Sequence, residues 1–147
     1  MYAEALLLAH SVKELTKDAV IRWRPYCYYD DTRSKLLRDE KSGKSFMSGH
    51  AALAFTSASF LTTVYAHMHP DGKKKYMVAG GSFAAAAAVG ALRIFSGNHF
   101  FTDVLAGAAW GTLVGWLVPQ LHYGQENNSV KLSFLSETGA PGILFNF

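Results

Sequence analysis

Apolar residues near the start recur at helical spacing: Leu6, Leu7, Val12, Leu15, Ala19 and Val20 are interleaved with Glu4, Lys13, Glu14 and Lys17. This predicts an amphipathic helix over residues 2 to about 22, ended by Pro25. Residues 25 to 46 lose the period and carry Asp30-Asp31 and Ser42-Gly43, a long polar connection of the kind that covers a site or stays unordered. A second helix is expected from Met47 or Ser48 to about Met68, where His69-Pro70-Asp71-Gly72 makes a turn. A third runs from about Lys75 to Phe95 and stops at Ser96-Gly97-Asn98, and a fourth runs from close to His99 to about Leu117, before Pro119. The expected fold is all-α, a bundle of four main helices within a core over residues 1–123. The tail over 124–147 has no assigned role, and Ile143 to Phe147 reads as a short strand or as no regular element.

Helices two to four are each about 20 residues with few charges, enough to cross a hydrocarbon layer of about 30 Å. Ser57, Ser59, Thr62 and Thr63 lower the apolarity of the first of them, and the alanines 84 to 88 dominate the next. Gly107, Gly111 and Gly115 recur on one face of helix four, and Gly80, Gly81 and Gly90 flank the alanines of helix three. Such faces let backbones approach closely, as membrane bundles require. Trp116 suits the headgroup level, whereas Trp110 is mid-helix and reads as core. A mean hydropathy of only +0.08 pulls the other way, so a membrane-associated bundle is expected with a soluble bundle as its rival.

A chain of 147 residues is one domain's worth. Its net charge of +3 suits an anionic substrate or lipid surface. The basic residues form no nucleic-acid stripe: Lys73, Lys74 and Lys75 are the one run, and they read as a solvated turn. With Cys27 alone, no intrachain disulfide and no thiolate metal cluster can form. The chain opens directly in a charged helix without the basic start and apolar block of a signal peptide, so an N-terminal portion is expected to be missing.

Three clusters next to predicted helix ends carry chemistry. His99 and Asp103 lie four apart, so on a helix beginning at His99 the carboxylate can reach one ring nitrogen and leave the other free to attack. Arg93, on the last turn of helix three, would present its donors to the same centre. Ser48 reads as a helix N-cap, or as part of an anion cup at the positive end of helix two, with Gly49 admitting close approach and His50 poised to protonate a leaving oxygen. Pro25 holds Arg24 in an extended segment, and Lys17 about two turns earlier could join it as a clamp on phosphate oxygens. Singly, each of these has a plainer role as a cap, a dipole partner or a surface cation.

Together, Lys17-x6-Arg24-Pro25, Ser48-Gly49-His50 and Arg93-x5-His99-x3-Asp103 resemble the three signature motifs of the type 2 phosphatidic acid phosphatase superfamily, which includes class A acid phosphatases and vanadium haloperoxidases. The likeness spans roughly residues 2 to 122, with two departures: Met47 replaces Pro and Leu92 replaces Ser. It implies a metal-free, cofactor-free phosphoric ester hydrolase. In that reading His99 is the nucleophile that becomes phosphohistidine, Asp103 orients it, and His50 is the acid and then the base. Lys17, Arg24, Ser48, Gly49 and Arg93 would hold the phosphoryl oxygens. The expected substrate is a phosphate monoester or diphosphate of a lipid at the extracytoplasmic face of a bacterial membrane. The alternatives are a soluble periplasmic acid phosphatase of broad specificity and an inactive anion-binding scaffold.

Overall fold

The structure, a computed structural model, describes residues 1–28 and 40–127. Four α-helices carry it: α1 (Tyr2–Ala19), α2 (Gly49–Met68), α3 (Lys74–Phe95) and α4 (Phe101–Asn127), with no strand among the described residues. The expected all-α bundle is the architecture found. Residues 124–127 continue α4, and the rest of the tail, including 143–147, lies outside the described residues.

α1 ends earlier than Pro25 would require, because the segment after it pairs elsewhere. Val20 is extended at φ −119° and ψ 104°. Arg22 N–H donates to the Gly43 carbonyl at 2.9 Å, Ser45 N–H to the Arg22 carbonyl at 3.0 Å, and Arg24 N–H to the Ser42 carbonyl at 3.0 Å. Pro25 instead opens a short 3-10 turn, Pro25–Tyr28.

α4 outruns its expected end and passes through Pro119. A proline inside a helix costs about 3 kcal/mol through its missing N–H and its ring clash. Here Val114 and Val118 pack with Ala5 and Ala9 of α1 in a core bordered by Leu53, Phe60 and Trp110. At about 2 kcal/mol for each buried valine, that packing offsets the break.

α2 is the hub. A Cβ at Gly107, Gly111 or Gly115 would overlap the α2 carbonyls of Ser48, Ala52 and Thr56 respectively, so the two backbones touch over three turns. Three of the hydroxyls that lower the apolarity of α2 are satisfied: Ser57 and Thr62 donate to the Leu53 and Ala58 carbonyls at 2.9 and 2.8 Å, and Ser59 crosses to the Thr112 carbonyl at 2.9 Å.

α3 packs on one side only. Gly90 meets Val104, but Gly80 and Gly81 have nothing within 4 Å, so the close approach expected there is absent. α3 and α4 are long and apolar enough to cross a membrane, whereas α2 is not among such helices. Only 11% of the apolar window in α3 and 39% of that in α4 is buried, unlike the core helix of a soluble protein, which hides most of its surface. Tyr76, Met77, Leu92, Phe95, Phe101 and Trp116 stand exposed.

Candidate active site

At one end of the bundle α2 and α4 begin, α3 ends and the chain leaves α1. A cavity of about 190 Å³ opens there. α1 contributes His10, Lys13 and Lys17, the extended segment Arg24, the first turns of α2 Gly49, His50 and Leu53, and the α3–α4 turn region Arg93, Asn98 and His99. Both imidazoles that the sequence singled out therefore face one space. Ser48 and Asp103 do not line it.

Each element has a local cause. Ser48 is buried; its hydroxyl accepts from Ala51 N–H at 3.5 Å and its carbonyl from Ala52 N–H at 3.0 Å, so it acts as the cap of α2. The earlier N–H groups, at Gly49 and His50, belong to the helix end that has no intrahelical acceptors. A methyl at Gly49 would come within 2.5 Å of Lys13 Cδ, so glycine is what lets the Lys13 stem cross α2. Gly97 turns the chain from α3 to α4 with φ +67°, a conformation that favours glycine. Asn98 and His99 N–H then both donate to the Arg93 carbonyl, at 3.2 and 3.3 Å, and hold His99 beneath Arg93.

His99 is 5% exposed. Its Nδ1 lies 2.8 Å from the Ser45 carbonyl, so Nδ1–H donates there and Nε2 keeps its lone pair. The expected direct bond from Asp103 is replaced: its Oδ2 stands 3.9 Å from Nδ1. The reason is that α4 begins at Phe101, leaving His99 in the turn, where helical i,i+4 spacing does not hold. Asp103 Oδ2 accepts from Phe100 N–H at 3.0 Å and from the Ser45 hydroxyl at 2.6 Å, while Oδ1 accepts from Arg22 Nη1 at 2.5 Å. Asp103 thus grips the residue whose carbonyl grips His99.

Burial is the main cause holding His99 at a pKa of about 4, and Arg24 adds to it; the Ser45 carbonyl and Asp103 oppose it. His50 sits below its ordinary 6.5 through partial burial, then Arg93, Lys17 and Lys13. Burial also lowers Lys17, with Lys13 next. Arg93 Nε is buried without a hydrogen-bond partner among the described residues. Arg24 Nη1 donates to Asn98 Oδ1 at 3.4 Å.

Sequence reasoning missed Arg22, Ser45, His10, Lys13 and Asn98. The placement of Lys13 one helical turn before Lys17 was a usable signal; the pairing of Arg22 and Ser45 with Asp103 was not, because it depends on the strand-like bridge between Arg22 and Lys44. Met47 is buried, and neither it nor Leu92 lines the cavity. A larger apolar groove of about 480 Å³ along Leu105, Ala109 and Trp116 lies on the outer face of α4 and carries no titratable group among the described residues. Among the described residues no three His, Cys, Asp or Glu side chains are grouped to hold a metal ion.

The profile of the PAP2 superfamily matches residues 1–126. Among curated proteins, the lipid A 1-phosphatase of Porphyromonas gingivalis is 39% identical over 83 residues, which is 56% of this chain. The matched segment spans 17% of that relative's length. No solved structure matches the chain significantly.

Proposed function

The chain belongs to the PAP2 superfamily, and on that premise we propose that it is a metal-independent phosphatase of phosphorylated lipids, working through a phosphohistidine. The observation that carries this is that His50 and His99 line one cavity together with Lys17, Arg24 and Arg93. The curated relative, named for lipid A 1-phosphatase activity, supports a lipid phosphate as the substrate class.

In this reading His99 Nε2 attacks phosphorus while the P–O bond to the leaving group breaks, and His50 gives the departing oxygen a proton. His50 then takes a proton from water, which attacks the phosphohistidine, releases phosphate and restores His99. Lys17, Arg24 and Arg93 hold the phosphoryl oxygens together with the backbone at Gly49, doing the neutralising that a metal ion does elsewhere. Arg93 Nε gains its missing acceptor. Ser48 fixes the first turn of α2, and Asp103 orients His99 through Ser45.

The cavity borders the end of α3 and the start of α4, where Leu92, Phe95 and Phe101 are exposed, a level at which a lipid headgroup can enter from the bilayer. Lys73, Lys74 and Lys75 mark the opposite end of α3. That turn and the cavity lie at opposite ends of the apolar α3, hence on opposite sides of a bilayer that α3 crosses, and the cavity is the end proposed to face the extracytoplasmic side.

The test uses the purified full chain in detergent with a ³²P-labelled lipid phosphate and an alkaline quench, which preserves phosphohistidine. Wild type should carry label, while His99→Ala should carry none and lose at least about 10⁴-fold in turnover. Wild-type rates for His99→Ala would end the mechanism. Activity should survive excess EDTA; full loss, restored by Mg²⁺ or Zn²⁺, would contradict metal independence.

A further inference from the structure

In the turn between α3 and α4 a chain of hydrogen bonds fixes which way one amide points. The Ser96 hydroxyl donates to the Arg93 carbonyl at 3.2 Å, so its one proton is spent and its oxygen is left to accept. Asn98 Nδ2 donates to that oxygen at 2.7 Å. The amide oxygen of Asn98 is therefore the atom left for Arg24, whose Nη1 donates to it at 3.4 Å, and both residues line the cavity. The main chain beneath Arg24 is pinned as well. Arg24 N–H donates to the Ser42 carbonyl and Cys27 N–H to the Arg24 carbonyl, each at 3.0 Å, and Tyr26 N–H donates to the Gly97 carbonyl at 3.2 Å. The Arg24 stem thus starts from a fixed place. An arginine side chain carries about 2 kcal/mol of rotamer entropy, so a fixed start does not by itself fix the head. One N–H of the planar guanidinium held at Asn98 sets the plane of the rest.

Resting on the phosphatase reading of the same cavity, we infer that Asn98 is a positioning residue: its amide oxygen aims the Arg24 guanidinium at the phosphoryl group, and its neutrality keeps that wall of the cavity attractive to an anion. It acts through Arg24 and on no reacting atom. A carboxylate in its place would hold the guanidinium by a charge-assisted bond roughly twice as strong, and would meet an incoming phosphate with a negative charge. The amide aims the cation without repelling the anion. Its side chain is separable from the support of His99, because Asn98 N–H and His99 N–H reach the Arg93 carbonyl through main-chain atoms that any residue but proline at 98 keeps.

Calorimetry with inorganic phosphate on the full chain in detergent reads this without needing turnover. Asn98→Ala should weaken phosphate binding about fivefold, the worth of one neutral hydrogen bond. Asn98→Asp, close to asparagine in shape, should weaken it at least about tenfold more than Asn98→Ala does, because it sets a negative charge beside the anion. In an Arg24→Met background, Asn98→Ala should cost less than about twofold further, since the group it aims is gone. Phosphate affinity unmoved in Asn98→Ala, Asn98→Asp binding as tightly as Asn98→Ala, or an undiminished loss in the Arg24→Met background each overturns the assignment. Should the Asn98 variants fail to fold, Ser96→Ala at an exposed position decides: it frees the amide to turn over and should weaken phosphate binding at least about threefold, and an unchanged affinity overturns the proposal. A wild type that binds phosphate but hydrolyses no ester counts against the phosphatase reading, with the affinities still deciding the role of Asn98. A wild type that binds no phosphate overturns both.

Discussion

The two sides of the cavity are built differently. On the His99 side every group is locked: the ring is 5% exposed and tied to the Ser45 carbonyl, Asp103 is fully buried, and three donors saturate its carboxylate. On the His50 side the residue is exposed and no side-chain hydrogen bond among the described residues holds it, and His10 of the same cavity lining is half exposed to solvent. A nucleophile gains from fixed aim, because misplacement of about 1 Å can cost 10²-fold. A group that serves first the leaving oxygen and then a water gains from freedom to move between them. In the proposed mechanism this contrast would separate a positioned attacking group from an adaptable proton carrier.

The strongest way to sharpen that division is to remove the carrier. His50→Ala should lower kcat/KM, which reports only the steps through departure of the leaving group, about 10²- to 10³-fold on an alkyl phosphate, since an alkoxide cannot leave without a proton. On a nitrophenyl phosphate, whose leaving group departs unaided, the loss should be much smaller. Steady-state rates on the two esters check this, and equal losses would remove His50 from the leaving-group step.

A smaller effect probes the locked side. Arg22→Met removes the donor at 2.5 Å from Asp103 Oδ1 and leaves a buried carboxylate short of a partner. Because the Arg22 side chain is itself 35% exposed, the expected destabilisation is about 2 kcal/mol, read as a lowered denaturation midpoint in detergent. kcat should drop about tenfold while KM moves little, because Arg22 does not line the cavity. A rise in KM with kcat unchanged would assign Arg22 to substrate binding instead.

These residues mark where the sequence was readable. Spacing of four on helix four announced a face for close backbone approach, and Gly107, Gly111 and Gly115 do press on α2. The same residue type at Gly80 and Gly81 meets nothing, since a glycine shows that approach is possible and not that a neighbour is there. Motif spacing selected His99 and Asp103, but their relation turned on whether α4 starts at 99 or 101, a difference that periodicity does not resolve. Lys13 escaped because its value comes from Gly49, distant in sequence, and Ser45 because its useful atom is a backbone carbonyl that any residue carries.

The least drastic test leaves the protein intact and varies pH. For attack His99 must be unprotonated, and with its pKa near 4 the rate rises as pH climbs through that value. For proton donation His50 must be protonated, and since its pKa lies below 6.5 the rate falls as pH climbs through a point under 6.5. The profile of kcat/KM for the free enzyme should thus be a bell on the acid side of neutrality, with the order of the limbs set by burial: the buried ring titrates first. The second ionisation of the substrate's phosphate falls in the same range, so the profile is measured with two esters that differ in that ionisation. Limbs that stay in place belong to the histidines, and limbs that follow the ester do not. Arg22→Met then sharpens the contrast, because uncovering the Asp103 charge favours the protonated His99 ring and should carry the acid limb to higher pH, with the His50 limb unmoved. Movement of both limbs together would mean that the two sides of the cavity titrate as one unit.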